Sequence, residues 1–206
     1  FDGVIDLAVV CNSDGRLALL FGDGAGGFSA PVVTTGFGSA QVVESADLNA
    51  DGHLDLVVGA NQLSILHNDG TGAFEIVTQR SDLGPQINLR IVDLDGDLHP
   101  DLCLPIADPV FVYCTVALRI LAGDLSGAFT GEPISYLVGA RPSDLAVSDV
   151  DGDGSTDLVC TAYWDRRVAV LFNRSTTTQF RRGDCNLDGV RDISDVLSGL
   201  SVLFLG

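Results

Sequence analysis

The chain has 206 residues, nearly half of them hydrophobic, and a formal net charge of −17. That size and apolar content allow a substantial core and exclude wholesale disorder, and no apolar run reaches the length of a membrane-spanning helix. The acidity argues against a nucleic-acid partner, which requires clustered positive charge. Of the acidic residues 25 are Asp and three are Glu, while all 11 basic residues are Arg. Asp favours turns, caps and metal loops where Glu favours helices, so the balance points to cations.

In chain order, "DGVIDLAVV" comes first and reads as the back half of a motif that then recurs whole. The complete copies are "DLNADGHLDLVV" from Asp47, "DLDGDLHPDLCL" from Asp93 and "DVDGDGSTDLVC" from Asp149, with starts 46 and then 56 residues apart. A chain that opens inside a motif and lacks Met is expected to be part of something longer. A second landmark repeats in phase: "LLFGDGAGGF", "ILHNDGTGAF" and "ILAGDLSGAF" each end an apolar run in a Gly/Asp turn, and "VLFNRSTTTQF" is a degenerate fourth copy. Gly, Asn and Asp supply the positive φ angles of tight hairpins. In the second unit, strands are expected near 54–60, 63–68, 73–78 and 87–92. Four short strands per repeat make one antiparallel sheet, and such sheets packed radially make a β-propeller. A β-helix would repeat at a much shorter period. The expected fold class is therefore all-β: a partial propeller of four-stranded antiparallel blades over residues 1–180, followed by a short C-terminal loop–helix unit over 181–206.

Within each acidic loop the oxygen-bearing residues fall at positions 1, 3, 5 and 9, and the main-chain carbonyl of position 7 adds another oxygen. A tightly curled loop brings alternate side chains to one centre, a hard-oxygen cage suited to Ca²⁺ and less suited to Mg²⁺. The expected ligands are Asp47, Asn49, Asp51, the His53 carbonyl and Asp55 in the first complete loop. Asp93, Asp95, Asp97, the His99 carbonyl and Asp101 serve in the second, and Asp149, Asp151, Asp153, the Ser155 carbonyl and Asp157 in the third. The opening half-motif contributes Asp2, the Val4 carbonyl and Asp6. Gly52 and Gly154 stand at position 6, where the chain bends; Leu98 stands there in the loop from Asp93, which is expected to be distorted or weaker.

The last residues change period. Asp184, Asn186, Asp188, the Val190 carbonyl and Asp195 follow EF-hand spacing, and Ile193, Val196, Leu197, Leu200, Leu203 and Phe204 recur at helical intervals. The Arg182-Gly183-Asp184 tripeptide is coincidental, because Asp184 opens this loop. Asn173 begins a glycosylation sequon set in a turn. Cys103 and Cys114 admit two readings, a disulfide or two buried thiols. Tyr163, Trp164 and Asp165 in "TAYWDRR" also admit two, a sugar-stacking patch or aromatics packed between blades.

The blade repeats resemble the FG-GAP/VCBS family of calcium-bearing propeller repeats also found in integrin α-subunits, on the strength of "FGDGAGGFSAPV" (21–32), "NDGTGAF" (68–74) and the three D-x-[DN]-x-D loops. Family members usually build seven blades, which implies that part of the ring is missing here. Residues 182–206 look like one half of a dockerin type I module, whose recognition positions hold Ile193 and Ser194. These resemblances imply an extracellular or cell-surface, non-catalytic, calcium-binding adhesion or binding module. It would present a propeller face to a protein or glycan and engage a cohesin-like partner through its C-terminal unit. The alternative is an accessory propeller domain of a secreted carbohydrate-active enzyme such as a polysaccharide lyase. No HExxH or GxSxG motif is present, and the histidines fall in calcium loops (His53, His99) or a hairpin turn (His67).

Overall fold

A computed structural model describes residues 3–106 and 117–173. All regular structure among them is β. The strands are β1 (Leu7–Cys11), β2 (Arg16–Leu20), β3 (Val32–Thr35), β4 (Val42–Ala46), β5 (Asp55–Gly59), β6 (Leu63–Asn68), β7 (Phe74–Arg80), β8 (Arg90–Val92), β9 (Asp101–Ile106), β10 (Ala117–Leu121), β11 (Ile134–Leu137), β12 (Pro142–Ser148), β13 (Asp157–Ala162) and β14 (Arg167–Leu171). They form four antiparallel sheets in simple up-and-down order: β1–β3, β4–β7, β8–β11 and β12–β14. The architecture is that of a partial β-propeller, two of whose sheets have three strands among the described residues.

The sheet boundaries differ from those expected. The segment near 87–92 contains β8, which does not close the second sheet but opens the third by pairing with β9 (Val92 opposite Asp101). The second sheet instead begins with β4, which pairs with β5 across the acidic loop (Ala46 opposite Asp55). A repeat counted from one acidic loop to the next therefore straddles two sheets, because the loop is a long hairpin inside a sheet and not a link between sheets. His67 correspondingly lies in β6 and not in a turn.

Three apolar cores lie between the four sheets. The first packs Leu17 and Leu19 against Leu56, Val58 and Leu66. The second packs Val57, Leu63 and Ile65 against Leu102, Leu104 and Leu121. The third packs Cys103, Leu118 and Ile120 against Leu145, Leu158 and Cys160. Alternate side chains of a strand point to opposite faces, so β5 serves two cores at once: Leu56 and Val58 face the preceding sheet and Val57 the following one. Burial on both faces explains why "DLVVG" and "DLCLPI" read as unbroken apolar runs, whereas β3, at the margin of its sheet, is exposed throughout. Full burial of one such Leu or Val contributes about 1.5–3 kcal/mol. Neighbouring sheets are also stitched by polar contacts. Arg90 pairs with Glu44 at 2.6 Å, and Asn88 Nδ2 donates to Asp144 Oδ1. Asn173 Nδ2 donates to the Leu94 carbonyl at 2.7 Å.

That last contact bears on the sequon. Asn173 is only 5% exposed and its amide nitrogen is engaged between sheets, so it does not present a glycosylation site in the folded chain. Cys103 is buried in β9, and Cys114 lies outside the described residues.

Candidate functional site

The three complete acidic loops join β4 to β5, β8 to β9 and β12 to β13. They share one fold, written in side-chain-to-backbone hydrogen bonds. Position 1 holds the curl: Asp93 accepts from the N–H groups of Gly96 (2.8 Å) and Leu98 (2.9 Å), and Asp149 from those of Gly152 (2.7 Å) and Gly154 (2.9 Å). Asp47 accepts from Asp51 (3.1 Å) and Gly52 (2.9 Å). Position 5 then accepts from the N–H of position 7, as Asp51 from His53, Asp97 from His99 and Asp153 from Ser155, at 2.8–2.9 Å. The His53 N–H, followed by the Asn49 amide, holds the Asp51 carboxyl below its ordinary value.

The curl needs left-handed backbone at positions 4 and 6. Position 4 is Ala50 (φ 60°), Gly96 (φ 76°) or Gly152 (φ 79°), and position 6 is Gly52 (φ 86°), Leu98 (φ 70°) or Gly154 (φ 90°). The loop from Asp93 is therefore not distorted as expected. Leu98 takes the glycine conformation and keeps the same hydrogen bond, with its side chain 85% exposed, at a cost of about 1–2 kcal/mol for a left-handed non-glycine residue.

Position 9 is different in kind. Asp55, Asp101 and Asp157 are completely buried. One oxygen of each accepts from the second residue of its own loop: Leu48 (3.1 Å), Leu94 (3.1 Å) or Val150 (2.8 Å). The other accepts from the residue that opens the Gly/Asp turn of the same sheet: Asn68 (2.8 Å), Gly123 (2.9 Å) or Asn173 (2.7 Å). Asp6 makes the matching bond to Gly22 at 2.9 Å. Sequence reading missed this clamp. Its signal is the Gly or Asn immediately before the turn Asp in "FGDG", "HNDG" and "AGDL". Glycine is required where the loop's eighth carbonyl crowds in: a Cβ would lie 2.3 Å from the Ile5 oxygen at Gly22 and 2.2 Å from the Pro100 oxygen at Gly123. Asn68 uses the space differently, donating to the Leu54 carbonyl at 3.2 Å.

Carboxylate oxygens gather most closely in two of the loops. Asp93, Asp95 and Asp101 offer ligand atoms within 4.8 Å of one another, and so do Asp149, Asp151 and Asp153. In the loop from Asp47 the neutral Asn49 replaces one carboxylate, and its Nδ2 donates to Asp51 at 2.9 Å. A carboxylate has about four lone-pair sites, so main-chain hydrogen bonds that aim its oxygens do not exhaust them. All-oxygen donors, several of them charged, gathered in one loop fit a hard divalent cation. Of the other expected ligands, Val4 lies among the described residues, just after Gly3 at φ 80°. Asp2, Asp184, Asn186, Asp188, Val190 and Asp195 lie outside them, as does the whole C-terminal loop–helix unit.

The turns beside the loops are held in the same way. Asp23 accepts from Ala25 and Gly27, both at 2.8 Å. Asp69 accepts from the Thr71 hydroxyl and N–H (2.6 and 2.8 Å), and Asp124 from the hydroxyl and N–H of Ser126. All three carboxyls are held below their ordinary value, Asp23 chiefly by the Ala25 N–H and the others chiefly by the neighbouring hydroxyl. Between the first two sheets lies a groove of about 750 Å³ lined by Ile5, Phe21, Leu54 and Phe74. Its polar members Asp6 and Asn68 belong to the clamp, and Glu44 pairs with Arg90. Burial pushes the Cys160 thiol up to about 11, which keeps it protonated and a poor nucleophile.

No curated protein matches the chain. The profile of the FG-GAP-like repeat matches it twice, over residues 1–58 and 47–104. Together the two matches run through residues 1–104, half of the chain, which belongs to the FG-GAP-like repeat family.

Proposed function

We propose that the chain is a non-catalytic, calcium-binding module of an extracellular or cell-surface protein, in which calcium sets the acidic ends of the sheets and the rest of the propeller surface engages a protein or glycan. The observation that carries this reading is the common fold of three loops with different sequences, two of them gathering three carboxylates. Such convergence costs electrostatic repulsion unless a cation offsets it. Asp47, Asn49, Asp51 and Asp55 would hold one ion with the His53 carbonyl. Asp93, Asp95, Asp97 and Asp101 would hold a second with the His99 carbonyl, and Asp149, Asp151, Asp153 and Asp157 a third with the Ser155 carbonyl. Calcium neutralises the clustered charge when bound, and the buried ninth-position carboxylates tie each loop to the neighbouring turn. Residues 181–206 would form a separate dockerin-like tether for a cohesin-like partner. A place within a secreted carbohydrate-active enzyme is the second reading, favoured by the exposed Tyr163 and Trp164.

Calorimetric titration with calcium, with a melting curve at each concentration, tests the proposal. Several bound equivalents and a calcium-dependent rise in Tm are expected; no binding at millimolar calcium would reduce the loops to acidic turns.

A further inference from the structure

The ends of the sheets opposite the acidic loops carry the β1–β2, β5–β6 and β13–β14 turns. In the first two sheets these turns are small and polar: Asn12, Ser13, Asp14 and Gly15 in one, Asn61 and Gln62 in the other. In the fourth sheet the same turn is Tyr163-Trp164-Asp165-Arg166. Resting on the reading of the chain as a binding module, we propose that this turn, with Arg141 and Arg167, is a platform for a uronate-containing glycan. Pyranose rings stack on Tyr163 and Trp164, and the arginines take the sugar carboxylates.

Three observations converge on it. Among the described residues both rings are exposed, Tyr163 at 66% and Trp164 at 58%. Leaving two large aromatic side chains in water forgoes the burial that usually accounts for them. The platform is also rigid. Tyr163 N–H donates to the Arg141 carbonyl at 3.0 Å, Trp164 N–H to the Ala140 carbonyl at 3.2 Å, and Ala140 N–H to Asp165 Oδ2 at 2.7 Å. Gly139 is tightly hemmed, since a Cβ there would lie 2.9 Å from that same Asp165 oxygen. Arg141 and Arg166 both hold φ at 54°, a strained conformation for side-chain-bearing residues that surrounding contacts must maintain. Finally, the charge is anomalous. In a chain of net charge −17, Arg141, Arg166 and Arg167 collect here, and none of the three forms an ion pair among the described residues. The Arg141 guanidinium sits 5.5 Å from the centroids of both rings, within cation–π range.

The combination selects the ligand. A guanidinium fork matches a carboxylate more closely, and bonds it more strongly, than the single hydroxyls of a neutral glycan. A nucleic acid carries a charge on every nucleotide and is repelled by a strongly acidic protein more severely than a glycan with a carboxylate on every second sugar. A protein hot spot needs a ring of surrounding contacts that excludes water, and these side chains stand at the tip of a turn.

Trp164 is the single tryptophan of the chain, so its fluorescence reports the site directly. The whole chain in calcium is titrated with hyaluronan oligosaccharides, with the same oligosaccharides after carboxyl reduction, and with oligothymidylate. A saturable change is expected with native hyaluronan, weakening as salt is raised from about 50 to about 500 mM. Tyr163→Ala and Arg141→Gln are each expected to bind about tenfold more weakly or worse, a loss of about 1.4 kcal/mol. Both should keep the calcium-dependent Tm of the parent, which shows that they fold. An equal response to the carboxyl-reduced sugar overturns the role of the arginines, and an equal response to oligothymidylate overturns the choice of a glycan. A chain that melts calcium-dependently but ignores every glycan overturns the platform and leaves the metal reading standing. A glycan response from a chain whose melting ignores calcium does the reverse.

Discussion

At the acidic ends of the sheets, Asp47, Asp93 and Asp149 each hold two backbone N–H groups, and Asp55, Asp101 and Asp157 clamp loop to turn with near-identical distances. At the opposite ends a main-chain strap recurs in the first two sheets, from Phe37 to Gly15 and from Gln86 to Ala60, whereas in the fourth the turn's own Tyr163 N–H donates to the Arg141 carbonyl. The side chains there change from Asn and Ser to Tyr, Trp and Arg. One end repeats its side chains because they do the folding. The other repeats none of its side chains, which leaves them available for something else.

The sharpest way to break this comparison is to remove a clamp. Asp157→Ala strands two N–H groups in a buried setting, at about 1–3 kcal/mol each, so a loss of roughly 3 kcal/mol or more is expected in urea unfolding. Trp164→Ala at the other end should change stability by no more than about 0.5 kcal/mol; comparable losses would erase the distinction. Next in size, the double change Asp151→Ala and Asp153→Ala is expected to lower Tm only when calcium is present. An equal loss with and without calcium would show that those carboxylates are purely structural. Smaller still, Leu98→Gly should stabilise the chain by up to about 1 kcal/mol, because it relieves a left-handed Leu at some cost in unfolded-state entropy. Denaturation in the absence of calcium reads this out, and destabilisation would mean that the exposed Leu98 side chain makes a contact of its own.

The smallest effect lies in acid. Asp23, Asp69 and Asp124 titrate below the ordinary 3.8 when folded. Their contribution is therefore complete above that value and is lost as pH falls through the lowered one. Thr71→Val removes the hydroxyl that chiefly holds Asp69 down, so it should slightly flatten the acid limb of a pH–stability profile measured without calcium. An unchanged profile would leave that hydroxyl no role in the turn.

The acidic loops and Gly/Asp turns were legible in the sequence because both depend on local chemistry, Asp accepting from nearby N–H groups and Gly supplying positive φ. Strands β5, β6 and β7 were legible for the same reason. Sheet membership was not. The hairpin from β4 to β5 is long enough to look like a boundary, and only pairing in space assigns β8 to the third sheet. The double duty of Asp55, Asp101 and Asp157 was hidden because their second partner lies 13 to 22 residues away. The burial of Asn173 was hidden because its partner Leu94 belongs to another sheet. Leu98 broke the glycine rule without breaking the loop, since a hydrogen bond from its N–H holds a conformation that its side chain disfavours.

The placement of Leu56 and Val58 on one side of β5 and Val57 on the other gives the second sheet two unlike faces, and β9 repeats the arrangement in the third with Leu102 and Leu104 against Cys103. Sheets of this kind stack like cups, always in the same sense. Each junction is head-to-tail, so any copy fits any junction, and the rotation per junction sets the number at which a ring closes. Duplicating one repeat within a gene would add a sheet whose faces already fit both neighbours, so copy number can change without any junction being redesigned.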